Sequence, residues 1–208
     1  MITDVKDNAV TSLPVMEQFY TLQGEGVYQG RAAYFIRLGG CDVGCVWCDV
    51  KESWDAGKHP QWEITSLVSN ACQYPGEIVV ITGGEPLLHD LAELTEKLQA
   101  AGKRTHLETS GSSELSGTWD WITLSPKKFK APVESVLPLA NELKVVVYNR
   151  HDFEWAESYK DKVSPNCRLY LQPEWDKAAI VTPLIIEYIK AHPEWQLSLQ
   201  VHKYINVP

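Results

Sequence analysis

Three of the chain's five cysteines, Cys41, Cys45 and Cys48, stand within the stretch "LGGCDVGCVWCDV", residues 38–50. As thiolates they are soft metal ligands, so three in one short loop point first to a metal site. Structural zinc usually closes with four ligands, commonly in two separated pairs. Here no histidine lies inside the loop, and Cys72 and Cys167 fall in a predicted amphipathic helix and just before a predicted strand, where packed or surface thiols are expected. Iron–sulfur clusters are also held by thiolates, and three of them on a four-iron cube leave one iron open to bind something else. Gly39, Gly40 and Gly44 let the backbone bend closely around so bulky a group. The spacing favours a cluster over zinc.

Such a loop needs a rigid frame. Short β-rich runs recur at 33–38, 78–83, 104–109, 121–125, 143–147, 168–172 and 197–201, mostly apolar without clean alternation, as in strands covered on both faces. Helical patterns lie between several of them. The clearest is "PLLHDLAELTEKLQAAG", with Leu87, Leu91, Leu94 and Leu98 along one face, Glu93 and Lys97 able to pair on the other, and Gly102 as a stop. Residues 63–73 and 151–159 are weaker candidates. The segment 182–192 reads as a helix with Thr182 as N-cap and Pro183 at its first position.

This alternation predicts an α/β fold built on a parallel sheet. Because 121–147 lacks a full-length helical pattern, the expected architecture is an abbreviated, partial (β/α) TIM-like barrel. Sites in such folds form at the carboxyl ends of the strands. The cysteine loop, "TGGEP" (82–86), "ETSG" (108–111) and "SPK" (125–127) each follow a predicted strand and would share one rim.

A length of 208 residues fits one domain, 1–208, with residues 1–14 read as a loose tail. A net charge of −8 argues against a large phosphate-binding surface, hence against nucleic acid as a partner. No signal peptide or membrane-length apolar run is visible, and the odd, clustered cysteines do not suggest a disulfide framework. The expected location is the cytoplasm, where thiols stay reduced.

Cys-x-x-x-Cys-x-x-Cys with an aromatic residue, Trp47, just before the last cysteine resembles the radical S-adenosylmethionine (SAM) superfamily, and "TGGEP" resembles its second motif. The resemblance implies a [4Fe–4S] cluster on Cys41, Cys45 and Cys48 whose open iron chelates the amino and carboxylate groups of SAM. Reductive cleavage of SAM then yields a 5′-deoxyadenosyl radical, so the cofactors carry the hard chemistry. Further stretches narrow the family. "FYTLQGEGVYQGRAAYFIRLGGC" (19–41), "VVITGGEPLLHDL" (79–91), "ETSG", "SPK", "LQP" (171–173) and "QVHKYINVP" (200–208) together resemble the 7-carboxy-7-deazaguanine synthases. Members of that family are lyases of queuosine and 7-deazapurine biosynthesis. They convert 6-carboxy-5,6,7,8-tetrahydropterin to 7-carboxy-7-deazaguanine with loss of ammonia, regenerating SAM.

Residue by residue, the resemblance implies SAM contacts at Trp47, Cys48, Asp49, Gly84, Ser125, Pro126, Lys127, Gln172, Pro173, Glu174 and Trp175. It implies substrate contacts at Leu22, Gln23, Gly24, Arg37, Thr82, His202 and Pro208. Arg37 suits a bidentate grip on the substrate carboxylate, the alternative being a surface ion pair. Gln23 and Glu25 read either as pterin contacts or as loop residues facing water. For Glu108, a SAM role stands against a structural hydrogen bond. One position departs from the pattern: Val50 occupies the place of a Thr that helps hold Mg²⁺ in the family, and a valine side chain has no oxygen to give. The resemblance further implies a flavodoxin- or ferredoxin-type electron donor and a homodimer. Two rivals share parts of the signal: a radical SAM activase acting on a partner protein, which would not carry "TLQGEG" or the "HKY" ending, and a non-catalytic zinc-binding module.

Overall fold

The computed structural model describes residues 10–208. Its centre is one nine-stranded sheet whose two outermost strands do not pair with each other, so the barrel stays open. Strands β1 (Ser12–Leu22) and β2 (Ala32–Leu38) form an antiparallel hairpin, and β3 (Gln61–Glu63) flanks β1. From β2 onward every pairing is parallel: β4 (Ile78–Gly83), β5 (Arg104–Thr109), β6 (Trp121–Leu124), β7 (Glu142–Val147), β8 (Arg168–Pro173) and β9 (Trp195–Leu197) follow in order. Helices α1 (Ile64–Cys72), α2 (Ala92–Ala100), α3 (His151–Lys160) and α4 (Ala178–Ala191) provide crossovers, as parallel strands require. Between β5 and β7 no α-helix intervenes, only a 3₁₀ turn at Leu137–Leu139, as the abbreviated barrel predicts.

Two apolar clusters lie beneath the helices. Ile36, Leu38, Val79, Ile81 and Leu107 meet Leu67, Leu94 and Leu98, while Leu143, Val145 and Leu171 meet Ala156, Val181 and Ile185. The period of two along each strand then turns the alternate residues to the other face. There the side chains are Phe35 and Arg37 on β2, Thr82 on β4, Glu108 on β5, Lys144 and Val146 on β7, and Gln172 on β8, all of which line one cavity. The expectation of apolar strands without clean alternation holds for β2 and β4, whose second face carries the buried Ala33, Phe35, Ile78 and Val80, but β5, β7 and β8 alternate, turning mostly polar residues to that face.

Four boundaries also change. The expected tail lies outside the described residues as far as residue 9, but residues 12–14 already belong to β1, where Leu13 is buried. The 86–102 helix divides into a 3₁₀ turn, Pro86–Leu88, and α2, although Leu87, Leu91, Leu94 and Leu98 are all buried as expected. Helix α4 starts at Ala178, not after Thr182. The Glu174 carboxylate caps the 3₁₀ turn Trp175–Lys177 by accepting from Lys177 N at 3.0 Å, and the chain runs straight into α4 with Pro183 inside it. The strand expected at 197–201 ends at Leu197, and helix α5 (Val201–Ile205) follows. Among the described residues no helix is long and apolar enough to cross a membrane.

Candidate active site

The cavity measures ≈ 300 Å³ and opens at the carboxyl ends of the parallel strands. Its cysteine wall is the loop after β2. Gly39 N donates to Pro14 O, Gly40 N to Ser53 O and Cys41 N to Trp54 O, at 2.6–3.0 Å, which anchors the loop on both sides. The "TGGEP" turn after β4 packs directly on it: Gly84 N donates to Leu38 O and Glu85 N to Gly40 O. A methyl group on Gly84 would overlap the Gly40 carbonyl and stand 2.7 Å from Cys41 Cβ, so only glycine permits this approach. Glu85 is buried and accepts from Leu87 N, Thr109 Oγ1, Ser110 N and Ser110 Oγ, tying "TGGEP" to "ETSG".

Cys41, Cys45 and Cys48 all line the cavity. Burial pushes the Cys45 thiol up to about 11 and also raises Cys41. Both are therefore protonated when no metal is bound, and ligation must displace those protons. Among the described residues no group of three His, Cys, Asp or Glu side chains is arranged to hold a single metal ion. Three soft donors on one wall, with the cavity open beside them, fit a larger sulfur-ligated cluster.

A cluster of buried charges lies on the inner face of the sheet. Lys144 is almost fully buried. Its Nζ donates to Glu25 Oε2 and stands 3.6 Å from Glu108 Oε2. Burial alone would lower this lysine, but Glu108, Glu25 and Glu142 outweigh it and hold it above its ordinary range. Burial would likewise raise Glu25, yet Lys144 holds that carboxyl at about 2. Gln23 is also buried: its Nε2 donates to Glu108 Oε1 at 2.8 Å and its Oε1 accepts from Glu25 N at 3.1 Å. Gln23 and Glu25 do not face bulk water. Glu108 is both a structural acceptor and part of the cavity wall.

Every residue expected to touch substrate lines the cavity: Leu22, Gln23, Gly24, Arg37, Thr82, His202 and Pro208. So do Trp47, Asp49, Gly84, Ser125, Lys127, Gln172, Pro173, Glu174 and Trp175, whereas Pro126 is buried and does not. Arg37 is mostly buried, and its Nε donates to Glu17 Oε1 at 2.6 Å, so the ion pair and the place on the wall coexist. Lys127 donates to Ser125 Oγ and lies 5.5 Å from the Trp47 ring centroid. Val50 also lines the cavity. Sequence reasoning missed Lys144, Glu142 and Gln200. The signal for the first two was "ELKVVV", where charged residues flank Leu143 at the strand period. Gln200 donates to Glu25 Oε1 at 3.1 Å from outside any strand, and nothing local marks it.

The profile of the Radical SAM superfamily matches residues 35–129. The 7-carboxy-7-deazaguanine synthase of Flavobacterium psychrophilum is 53% identical, with 94% of this chain and 93% of that protein covered. Its namesake from a Synechocystis species is 51% identical over 98% of this chain and 97% of that protein. The crystal structure of QueE from Escherichia coli superimposes with a TM-score of 0.81 at 35% identity, covering 92% of this chain and 95% of that one. With its cysteine loop, its open barrel and these full-length likenesses, the chain belongs to the 7-carboxy-7-deazaguanine synthase family of the radical SAM superfamily.

Proposed function

We propose that the chain, acting as one unit, is a lyase that converts 6-carboxy-5,6,7,8-tetrahydropterin to 7-carboxy-7-deazaguanine with loss of ammonia, on the route to queuosine and other 7-deazapurines. The observation that carries this reading is a single cavity with three thiols on one wall and Arg37, Gln23, Thr82 and His202 on the others. When bound, the [4Fe–4S] cluster and SAM supply the hydrogen-abstracting radical chemistry.

Cys41, Cys45 and Cys48 would hold the cluster. Trp47, Asp49 and Gly84 on that side, with Ser125, Lys127, Gln172, Pro173, Glu174 and Trp175 beyond it, would hold SAM. Arg37 binds the substrate carboxylate. Glu17 occupies its Nε, which leaves the two terminal nitrogens for a bidentate grip. Gln23, Gly24, Leu22 and Thr82 orient the pterin, and the Glu108 carboxylate accepts from its N–H edge. His202 and Pro208 close the far side. Phe19, Phe35, Val43 and Val146 on the walls exclude water, which would otherwise divert a reactive intermediate.

Val50 offers no side-chain oxygen, so any Mg²⁺ here would rely on water, substrate or Asp49, and the requirement for it is weakened. A flavodoxin- or ferredoxin-type donor and a homodimer, both supported by the family resemblance, and a cytoplasmic location, supported by the free clustered thiols, complete the reading.

The test is anaerobic reconstitution with iron and sulfide, then incubation with reductant, SAM and 6-carboxytetrahydropterin, with product read by mass. The expected result is 7-carboxy-7-deazaguanine with SAM not consumed. Cleavage of SAM without that product would overturn the substrate assignment. A colourless, zinc-loaded protein would overturn the radical reading altogether.

A further inference from the structure

The chain leaves the sheet after β9 and lays its last residues across the cavity mouth, where His202 and Pro208 reach the wall. The segment is short, and α5 spans only one turn or so, so it needs outside anchors. Val201 N donates to Gly24 O at 3.0 Å, and the His202 ring fills the space a side chain at Gly24 would need. Gln200 Nε2 adds a bond to Glu25 Oε1 at 3.1 Å, and further contacts meet at Lys203, which does not itself line the cavity. Its Nζ donates to Asp49 Oδ2 at 2.9 Å and lies 4.9 Å from the Trp175 ring centroid. Trp175 in turn meets Tyr204 edge-on at 5.2 Å. Asp49 directly follows Cys48 in the cysteine loop, and Trp175 lies just beyond β8. One side chain thus joins the C-terminal segment to two loops from different parts of the sheet.

We propose that Lys203 is a positioning residue, a latch that holds the C-terminal segment against the cysteine loop so that His202 and Pro208 are in place for substrate. The inference rests on the reading of the cavity as the pterin site. Because Asp49 belongs to the cysteine loop, order on that side and closure on the substrate side reinforce each other, and by linkage the dependence is reciprocal.

Lys203→Met keeps the apolar stem but removes the charge; Lys203→Arg keeps both. Hydrogen exchange of the amides of residues 201–207 reads the latch without any turnover. Losing an ion pair and a cation–π contact accelerates this exchange about five- to tenfold in Lys203→Met, with Lys203→Arg within about twofold of the parent. High salt loosens the parent segment more than that of Lys203→Met, since only the parent has the ion pair to screen. In reconstituted enzyme, KM for 6-carboxytetrahydropterin rises by a similar factor in Lys203→Met while kcat stays within about twofold. Unchanged exchange in Lys203→Met, at an iron content equal to the parent's, overturns the latch. Faster exchange with an unchanged KM overturns the positioning role. Failure of the parent enzyme to bind or convert the pterin instead refutes the reading of the cavity, and the positioning role falls with it.

Discussion

Lys144→Met tests the charged side of the cavity most directly. In the parent protein Lys144 is the cation that faces both Glu25 and Glu108 from within the sheet. Its effect is visible in Glu25, whose carboxyl lies at about 2 where 4.5 is ordinary, even though burial pushes the other way. At 1.36 kcal/mol per pH unit that displacement is worth about 3 kcal/mol, within the range seen when one partner of a buried ion pair is removed. A lowered carboxylate contributes its stability in full above pH 4.5 and loses it as pH falls toward 2. Without the lysine, burial raises Glu25 with only the Gln200 hydrogen bond and His202 left to oppose it, and the sign reverses: the variant is weakest at neutral pH and recovers on acidification. Urea unfolding of parent and variant at pH 7.5 and 5.5 reads both effects. The expected loss at pH 7.5 is about 3 kcal/mol, shrinking at pH 5.5, and Glu25→Gln in the same chain restores part of it. A loss below about 1 kcal/mol, with a pH slope parallel to the parent's, would refute the reasoning.

Other expectations can be checked alongside. Gly84→Ala forces a methyl group onto the Gly40 carbonyl and Cys41 Cβ, so reconstituted iron content should fall at least severalfold, while Gly102→Ala, strained by its φ of +78° but with nothing near its Cβ position, leaves iron unchanged. His106 is buried on the inner face, and burial with Arg104 nearby lowers it to about 4, so the unfolded chain takes up a proton near pH 6.5 that the folded chain refuses. Stability should therefore fall by about 3 kcal/mol between pH 6.5 and 4, and His106→Gln should flatten that stretch of the unfolding profile. Val50→Thr supplies the missing oxygen, and in a magnesium titration of chelator-treated enzyme it should reach half-maximal activity at a lower Mg²⁺ concentration than the parent; equal curves would refute a weakened site.

The rim of the site was readable because its parts are local. Cysteines at fixed spacing, the glycine pair of "TGGEP" and the short "ETSG" and "SPK" segments each follow a β-rich run, and the parallel topology brings such ends together. The charged inner face was harder. A Lys or Glu inside a strand ordinarily signals solvent, and only the tertiary fold shows that Lys144 and Glu142 turn inward to meet Glu25 and the turn at Val27. The end of the chain misled for a similar reason. "LSLQV" has strand-like residues, but Ser198 Oγ donates to Gln172 Oε1 and accepts from Gly26 N, so the chain turns away from the sheet there. Conversely, the early segment read as a tail is β1 in part, because Leu13 and Val15 find a core supplied by residues that lie far along the chain.

The hairpin loop between β1 and β2 has a consequence for how the molecule comes together. Its partners are remote: the contact from Gln23 to Glu108 spans 85 residues, from Val27 to Glu142 115, from Glu25 to Lys144 119, from Gly26 to Ser198 172 and from Glu25 to Gln200 175. Paired residues of neighbouring parallel strands, by contrast, lie only 15–45 positions apart. Closing the longest loops carries the largest entropic cost and comes late in folding. During refolding, the amides of Gly26 and Val27, whose acceptors belong to Ser198 and Glu142, should gain protection after those of the central strands, and in a growing chain this loop waits for residues 198–200 before its contacts close.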